Sequence, residues 1–228
     1  MAMAAPIAMT TIEPDIMTDR YRDMMILQAW FSPAFPTGAF SYSHGLETAI
    51  QQGMIDDAAT LQDWIAALLS HGSGWNDALL IKAAYEGEPE VNALSLSLSA
   101  GKERHHETAE LGQAFVRVVN ASHGAGLPDG LTYPVAVGQA AQQIQIDLSL
   151  AIQCYLQAFA ANLISVGVRT IPIGQQAGQN CLVNLYSTIA RVVEKCSHAT
   201  LDQLGGATPM ADLMAMKHEH STPRIYRT

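Results

Sequence analysis

Leu148 to Val168 reads LSLAIQCYLQAFAANLISVGV, and these 21 residues contain no charged side chain. A helix of this length and composition is long enough to span a membrane. However, Ser149, Gln153 and Gln157 recur every four residues and would form a polar stripe along one side of such a helix. This stripe favours a helix in the core of a helical protein, and no membrane interaction is predicted.

Helical spacing continues on both sides of this stretch. Asp147 can cap its first turn, and Pro134 suits the first turn of a preceding helix that ends at Ile144. Helices are predicted at residues 21–31, 41–53, 57–71, 76–85, 91–99, 102–120, 134–144, 148–169 and 179–195. Leucine and serine alternate within 91–99, so a strand is the alternative for that segment.

Consecutive helices without βαβ alternation predict an all-α fold, a single-domain helical bundle of about eight to ten helices. Residues 1–19 show little periodicity and are predicted to form a flexible N-terminal tail. Residues 20–204 are predicted to form the helical domain. Residues 205–228 are predicted to be an irregular C-terminal tail that binds partners.

The composition limits the possible partners. Charged residues make up 14% of the chain, against about 25% in typical globular proteins. Either other proteins cover part of the surface, or the chain is a helical domain rich in Ala, Ser and Gln. The net charge is −9 and the basic residues are scattered, so nucleic acid is not an expected partner. Three widely spaced cysteines argue against a disulfide framework and favour a cytoplasmic location.

Motifs for catalysis are missing from the sequence. No GxxxxGKS/T phosphate loop and no HExxH zinc motif occurs. His105, His106 and Glu107 are consecutive and cannot converge from one face of a helix. His218 and His220 could share a metal if the chain there is extended. A helical metal-dependent enzyme, with His and Glu ligands from separate helices, is therefore the alternative to a binding protein.

Two segments carry side chains suited to recognition. Residues 32–42 form a loop rich in proline, glycine and aromatic residues, which would be costly to leave in water. Residues 216–228 combine arginine and lysine with Ile225 and Tyr226. Arginine and tyrosine are enriched at the energetic centres of protein interfaces, so we predict that both segments contact partners. For residues 216–228, a frayed terminus is the alternative that fits the composition equally well.

Ser32 to Glu47 reads SPAFPTGAFSYSHGLE, which resembles the signature of the urease accessory protein family UreF. Further similarity follows in order at KER (102–104), ET (107–108), Gly112, YPVAVG (133–138), VRTIPIGQ (168–175), MKHE (216–219) and RIYR (224–227). The resemblance covers about residues 22–228 and is carried by the order of these segments.

The resemblance implies a non-catalytic scaffold with an all-α fold that forms a homodimer. Its partners would be the accessory protein UreD (also called UreH), the GTPase UreG and the urease apoprotein. Together they would assemble the metallocentre of urease, which contains nickel and a carbamylated lysine. The chain itself would bind no cofactor, since nickel and GTP would be handled by its partners.

The predicted partner-binding residues lie in the loop, at one helix end and in the tail. The tyrosine and serine hydroxyls of the loop could instead form internal hydrogen bonds. An arginine at a helix end could instead stabilise the last carbonyl groups. The predicted residues are Ser41, Tyr42, Glu47, Arg169, Lys217, His218, Glu219, Arg224, Tyr226 and Arg227.

Overall fold

Residues 19–227 are described by the structure, a computed structural model, and this range is helical without a strand. Its α-helices are α1 (Asp19–Trp30), α2 (Leu46–Gln51), α3 (Ala58–His71), α4 (Ser73–Glu86), α5 (Val91–Ser97), α6 (Lys102–His123), α7 (Tyr133–Ile144), α8 (Leu148–Thr170), α9 (Gly174–His198) and α10 (Pro209–His218). This confirms the all-α class and the helix number. The predicted N-terminal tail lies outside the described residues except for Asp19, which begins α1.

The charge-free stretch forms α8, the central helix of the core. Asp147 caps it, since its carboxylate accepts a hydrogen bond from the N–H of Leu150 at 2.7 Å. α8 packs against α1, α2, α3, α4, α7 and α9. By length and composition it could cross a membrane, but 56% of its most apolar 18-residue window is buried inside the fold. Its apolar side chains therefore contribute to the protein core, as its polar stripe predicts.

Close helix packing positions α7 between α4 and α6. A Cβ atom on Gly138 would overlap the carbonyl oxygen of Ile81, so glycine is needed for α7 to approach α4 this closely. On the other side, Phe115 of α6 makes an edge-to-face contact with Trp30 of α1, with ring centroids 5.1 Å apart. These contacts fix α6, which carries much of the candidate site.

The structure decides between the two predictions for one segment and changes three predicted helix starts. Residues 91–97 are helical, so the helix predicted there is confirmed and the strand alternative is wrong. α4 begins at Ser73, earlier than the predicted 76. α2 begins only at Leu46 instead of near Ser41, because His44 and Gly45 have φ angles of 53° and 76°. Such left-handed backbone interrupts a right-handed helix. α9 begins at Gly174, earlier than the predicted 179.

The C-terminal segment (residues 205–227) was predicted to be irregular, and this prediction is wrong. It contains α10, which has Pro209 in its first turn, where a missing N–H costs nothing. α10 folds back onto α2 and α6. A Cβ on Gly45 would lie 2.7 Å from Ala215 N and 2.8 Å from Ala211 O. Glycine at this position therefore allows α10 to lie directly against the start of α2.

Candidate partner-binding site

The C-terminal segment brings the predicted loop and tail residues together. After α10 the chain returns to a short 3-10 turn at Ala39–Ser41, where Arg227 N–H donates to the carbonyl oxygen of Ser41 at 2.8 Å. Ser41 thus binds the C-terminal segment through its backbone carbonyl group. α2 and the first turns of α6 lie beneath the segment. The structure therefore forms one site from regions that are far apart in sequence.

Glu47 is the main anchor beneath the segment. Its side chain is 2% exposed, and it accepts the N–H groups of Ile225 at 2.8 Å and Tyr226 at 2.9 Å. The ring of His218 lies 3.0 Å from the same carboxylate. Burial acts to raise the pKa of Glu47, but these three hydrogen bonds outweigh burial and lower the pKa. Glu47 is therefore a buried carboxylate that holds the last turn of the segment.

His218 joins α10 to two other helices. It is fully buried, with Nε2 3.0 Å from Glu47 Oε2 and Nδ1 3.0 Å from Glu103 Oε2. The other carboxylate oxygen of Glu103 forms an ion pair with Arg224. Glu103 thus binds the segment at two points, on either side of the turn that follows α10.

A second cluster holds the end of the segment. Tyr42 donates its hydroxyl to Glu110 Oε2 at 2.8 Å, and Arg227 lies 2.9 Å from the same oxygen. Burial, with a further contribution from Glu110, raises the pKa of Tyr42, so its hydroxyl remains a donor. The alternative prediction for Tyr42, an internal hydrogen bond, is therefore confirmed within the described residues. Its role toward a partner stays a prediction.

The remaining predicted residues occupy different positions. Glu219 accepts the N–H of Glu103 at 3.3 Å, next to the start of α6, where negative charge is favourable. Lys217 is exposed on α10. Arg169 lies in the last turn of α8, the helix end predicted for it, and its side chain is exposed. It takes part in none of the described hydrogen bonds or ion pairs of the C-terminal segment.

The predicted partner-binding residues did not include the acidic residues of α6 that lie beneath the segment. Glu103, Glu107 and Glu110 are spaced by four and three residues, which places them along one face of the helix. This spacing is the one sequence signal that indicates an acidic face on α6. Apart from Arg104 and His106 on α6 itself, their partners lie in the loop before α2 and in the C-terminal segment. No sequence pattern connects these two regions to α6.

Glu107 belongs to a buried polar cluster beneath the segment. Arg104 forms an ion pair with its carboxylate, and His44 Nε2 lies 3.1 Å from Glu107 Oε1. Burial acts to raise the pKa of Glu107, but Arg104 and His44 outweigh it and lower the pKa to about 2. The cluster lines a cavity of about 50 Å³, which also contains Asp77 and Tyr155. A cavity of this size holds a few water molecules at most.

The candidate metal ligands are not brought together. The side chain of Glu107 is buried, whereas His106 pairs with Glu110 at the surface. These neighbouring side chains therefore point in different directions, as expected for a helix. The idea of an extended metal-binding pair at His218 and His220 is wrong, because His218 ends a helix and faces carboxylates. Within residues 19–227, no group of three or more His, Cys, Asp or Glu side chains could hold a metal ion.

Comparison with known proteins adds independent information. The UreF family model matches residues 55–186, more than half of the chain. A urease accessory protein UreF from Roseobacter denitrificans is 41% identical over 208 residues, which covers 90% of this chain and 93% of that protein. The UreF of Rhizobium etli is 41% identical, and the match covers 90% of this chain and 96% of that protein.

A third relative covers a similar share of the chain. The UreF of Cereibacter sphaeroides is 44% identical over 207 residues, with 90% of this chain and 98% of that protein covered. These matches agree with the family resemblance stated from the sequence. The chain belongs to the UreF family of urease accessory proteins.

Proposed function

We propose that this chain is a cytoplasmic, homodimeric scaffold for urease maturation. It works with UreD (UreH) and the GTPase UreG on the urease apoprotein, and these partners handle nickel and GTP. UreF proteins are accessory proteins by the names of the relatives, and not enzymes. The metal-dependent enzyme considered from the sequence is therefore not proposed.

The outer face of α10 is the observation that carries this proposal. Its inner face is buried against α2, while apolar side chains spaced by three residues remain exposed on the outside. The exposed side chains are Met210 (45%), Leu213 (39%) and Met216 (43%), with Ile225 (75%) further along the segment. Solvent-exposed apolar side chains grouped on one helix are typical of protein interaction surfaces.

A charged cleft beside α10 supports the same conclusion. The cleft has a volume of about 480 Å³ and lies between the tail and the start of α6. Its lining residues are Tyr42, Lys102, Glu103, His106, Glu219, His220, Arg224 and Arg227. An apolar patch with a polar rim is the usual anatomy of a protein interface. We place the accessory-protein surface at this combined face.

The test is size-exclusion chromatography with light scattering, on the chain alone and mixed with UreD- and UreG-type proteins. A homodimer has about twice the chain mass of 24.5 kDa. Leu213→Glu puts a charge into the proposed interface and should prevent formation of the larger complex. Met54→Glu is the matched control, since Met54 is also 39% exposed but lies after α2. Normal assembly by the Leu213→Glu variant would overturn the placement.

A further inference from the structure

The cleft between the C-terminal segment and the start of α6 contains a large share of the few basic residues of this chain. The chain has 12 lysine and arginine residues, against 21 aspartate and glutamate residues. Lys102, Arg224 and Arg227 line this one cleft, together with the carboxylates of Glu103 and Glu219. Three of the 12 lysine and arginine residues therefore lie at one place in a chain of net charge −9.

The carboxylates of the cleft are engaged within the protein. Glu103 binds Arg224 through one oxygen, and its other oxygen lies 3.0 Å from His218 Nδ1. Glu219 accepts the backbone N–H of Glu103 at 3.3 Å, at the positive end of the α6 dipole. Both negative charges are thus compensated by neighbouring groups, which lowers their repulsion of an anion in the cleft.

The cations of the cleft, by contrast, have N–H donors to spare. Arginine has five N–H donors and lysine has three. Among the described residues, Arg224 pairs only with Glu103 and Arg227 only with Glu110, and both guanidinium groups are about half exposed. The side chain of Lys102 is exposed and forms no described hydrogen bond or ion pair. These three cations can therefore donate to acceptors that come from outside the chain.

Apolar side chains border the same cleft. Ile225 follows Arg224 and is 75% exposed. Met216 is 43% exposed, and its Cγ would lie 3.4 Å from a Cβ added to Gly101, the residue before α6. The carboxylate of Glu219 lies against the same glycine, so Met216 stands at the edge of the cleft. A ligand that fills the cleft therefore contacts apolar side chains next to cationic donors.

We propose that this cleft binds an acidic segment of an accessory protein, in which aspartate or glutamate alternates with apolar residues. The carboxylates of that segment accept hydrogen bonds from Lys102, Arg224 and Arg227. Its apolar side chains pack on Met216 and Ile225. Arginine suits this role, because a guanidinium group can bind a carboxylate through two parallel N–H bonds. The inference rests on the proposed function and deepens it, since it names the chemistry of the partner at the proposed surface.

Such a contact has a recognisable dependence on salt. Complementary charges at an interface act mainly on the rate of association and on specificity. Exposed charges interact over about 30 Å at about 0.01 M salt, but over only about 3 Å at about 1 M. Complex formation should therefore weaken as salt is raised, and a variant without the cleft's charge should show a smaller loss.

Lys102→Glu is the first variant to test, because its side chain is exposed and its replacement breaks no described contact. With UreD- and UreG-type proteins, the dissociation constant should rise about tenfold at low salt, and the difference from the unmodified chain should shrink at high salt. Lys195→Glu is the matched control, since Lys195 is an exposed lysine on α9 and the change in net charge is the same. If both variants bind equally while Leu213→Glu prevents assembly, the acidic segment is refuted and the proposed function stands.

A second measurement needs no partner protein. The ¹⁵N-labelled full chain is titrated with a synthetic peptide in which aspartate and leucine alternate, and with a peptide in which asparagine replaces aspartate. Inorganic phosphate is the third probe. Saturable amide shifts at 102–106 and 219–227 are expected with the acidic peptide and not with the other two probes. Equal shifts with the asparagine peptide, equal binding of phosphate alone, or no shift with any probe would overturn the proposal.

Discussion

The guanidinium of Arg227 lies over the ring of Tyr42, 5.4 Å from its centroid, and both side chains bind the same oxygen of Glu110. Arg227 is about half exposed, and an exposed ion pair contributes only about 0–1 kcal/mol to stability. This contact therefore orients the end of the segment more than it stabilises the fold.

Arg227→Ala should weaken assembly with the accessory partners without lowering the melting temperature measurably. The substitution removes the contact with Glu110 and the stacking on Tyr42, while the buried anchor at Glu47 is kept. Size-exclusion chromatography with the partners and thermal melting of the chain alone measure the two effects. Arg117→Ala, an exposed arginine on α6, is the control and should change neither. Undiminished assembly of the Arg227→Ala variant would contradict this prediction.

Gly45→Ala should displace α10. Gly45 has a φ of 76°, and an added Cβ would lie 2.7 Å from Ala215 N. Left-handed backbone costs an L-residue about 1–2 kcal/mol, and the steric overlap adds to this cost. Hydrogen exchange should therefore show lost protection across 209–218.

Gly53→Ala separates the two causes. Gly53 has a similar φ of 70°, but an added Cβ would meet no atom within 4 Å. Gly53→Ala should lower the free energy of unfolding, measured by chemical denaturation, only by the cost of left-handed backbone. The amides of α10 should stay protected from hydrogen exchange. Equal loss of α10 protection in both variants would rule out close packing as the reason for glycine at position 45.

Asp77→Asn should change the pH dependence of global stability. Burial raises the pKa of Asp77 to about 6, although Arg104 and a 2.7 Å hydrogen bond from Tyr155 act against this. The folded protein therefore holds this proton more tightly than the unfolded chain. Protonated Asp77 therefore stabilises the folded state. This stabilisation is complete below about pH 4 and is lost as the pH rises to about 6.

The measurement is the free energy of unfolding by urea at several pH values. Between about pH 4 and about pH 7, the difference between Asp77→Asn and the unmodified chain should shift by about 2–3 kcal/mol in favour of the variant. Asp63→Asn, at an exposed position of α3, serves as the control. A constant difference across this range would show that Asp77 does not titrate in the fold.

Local patterns predicted most of the helices. The polar stripe of α8 and the cap at Asp147 are short-range signals, and the structure contains this cap. α10 was missed because its apolar residues surround the helix: Met214 is buried while Met210 and Met216 are exposed. A helix without a clear polar face gives no amphipathic period to detect.

The site was predicted in part. The tail and the loop were selected by their composition, and the structure places them side by side. Glu103 and Glu110 were not selected, because a carboxylate in a charged helix looks the same whether or not a distant segment binds it. Their partners Arg224 and Arg227 lie more than a hundred residues further along the chain.

The short α2 has a consequence for synthesis on the ribosome. Six residues are too few for a helix to be stable alone, and α2 is packed between α8 and α10. Glu47 and His218 are separated by 171 residues. At about 5–20 residues per second, Glu47 emerges roughly ten to thirty seconds before its partner. α2 therefore completes its packing only after the last residues of the chain have been synthesised.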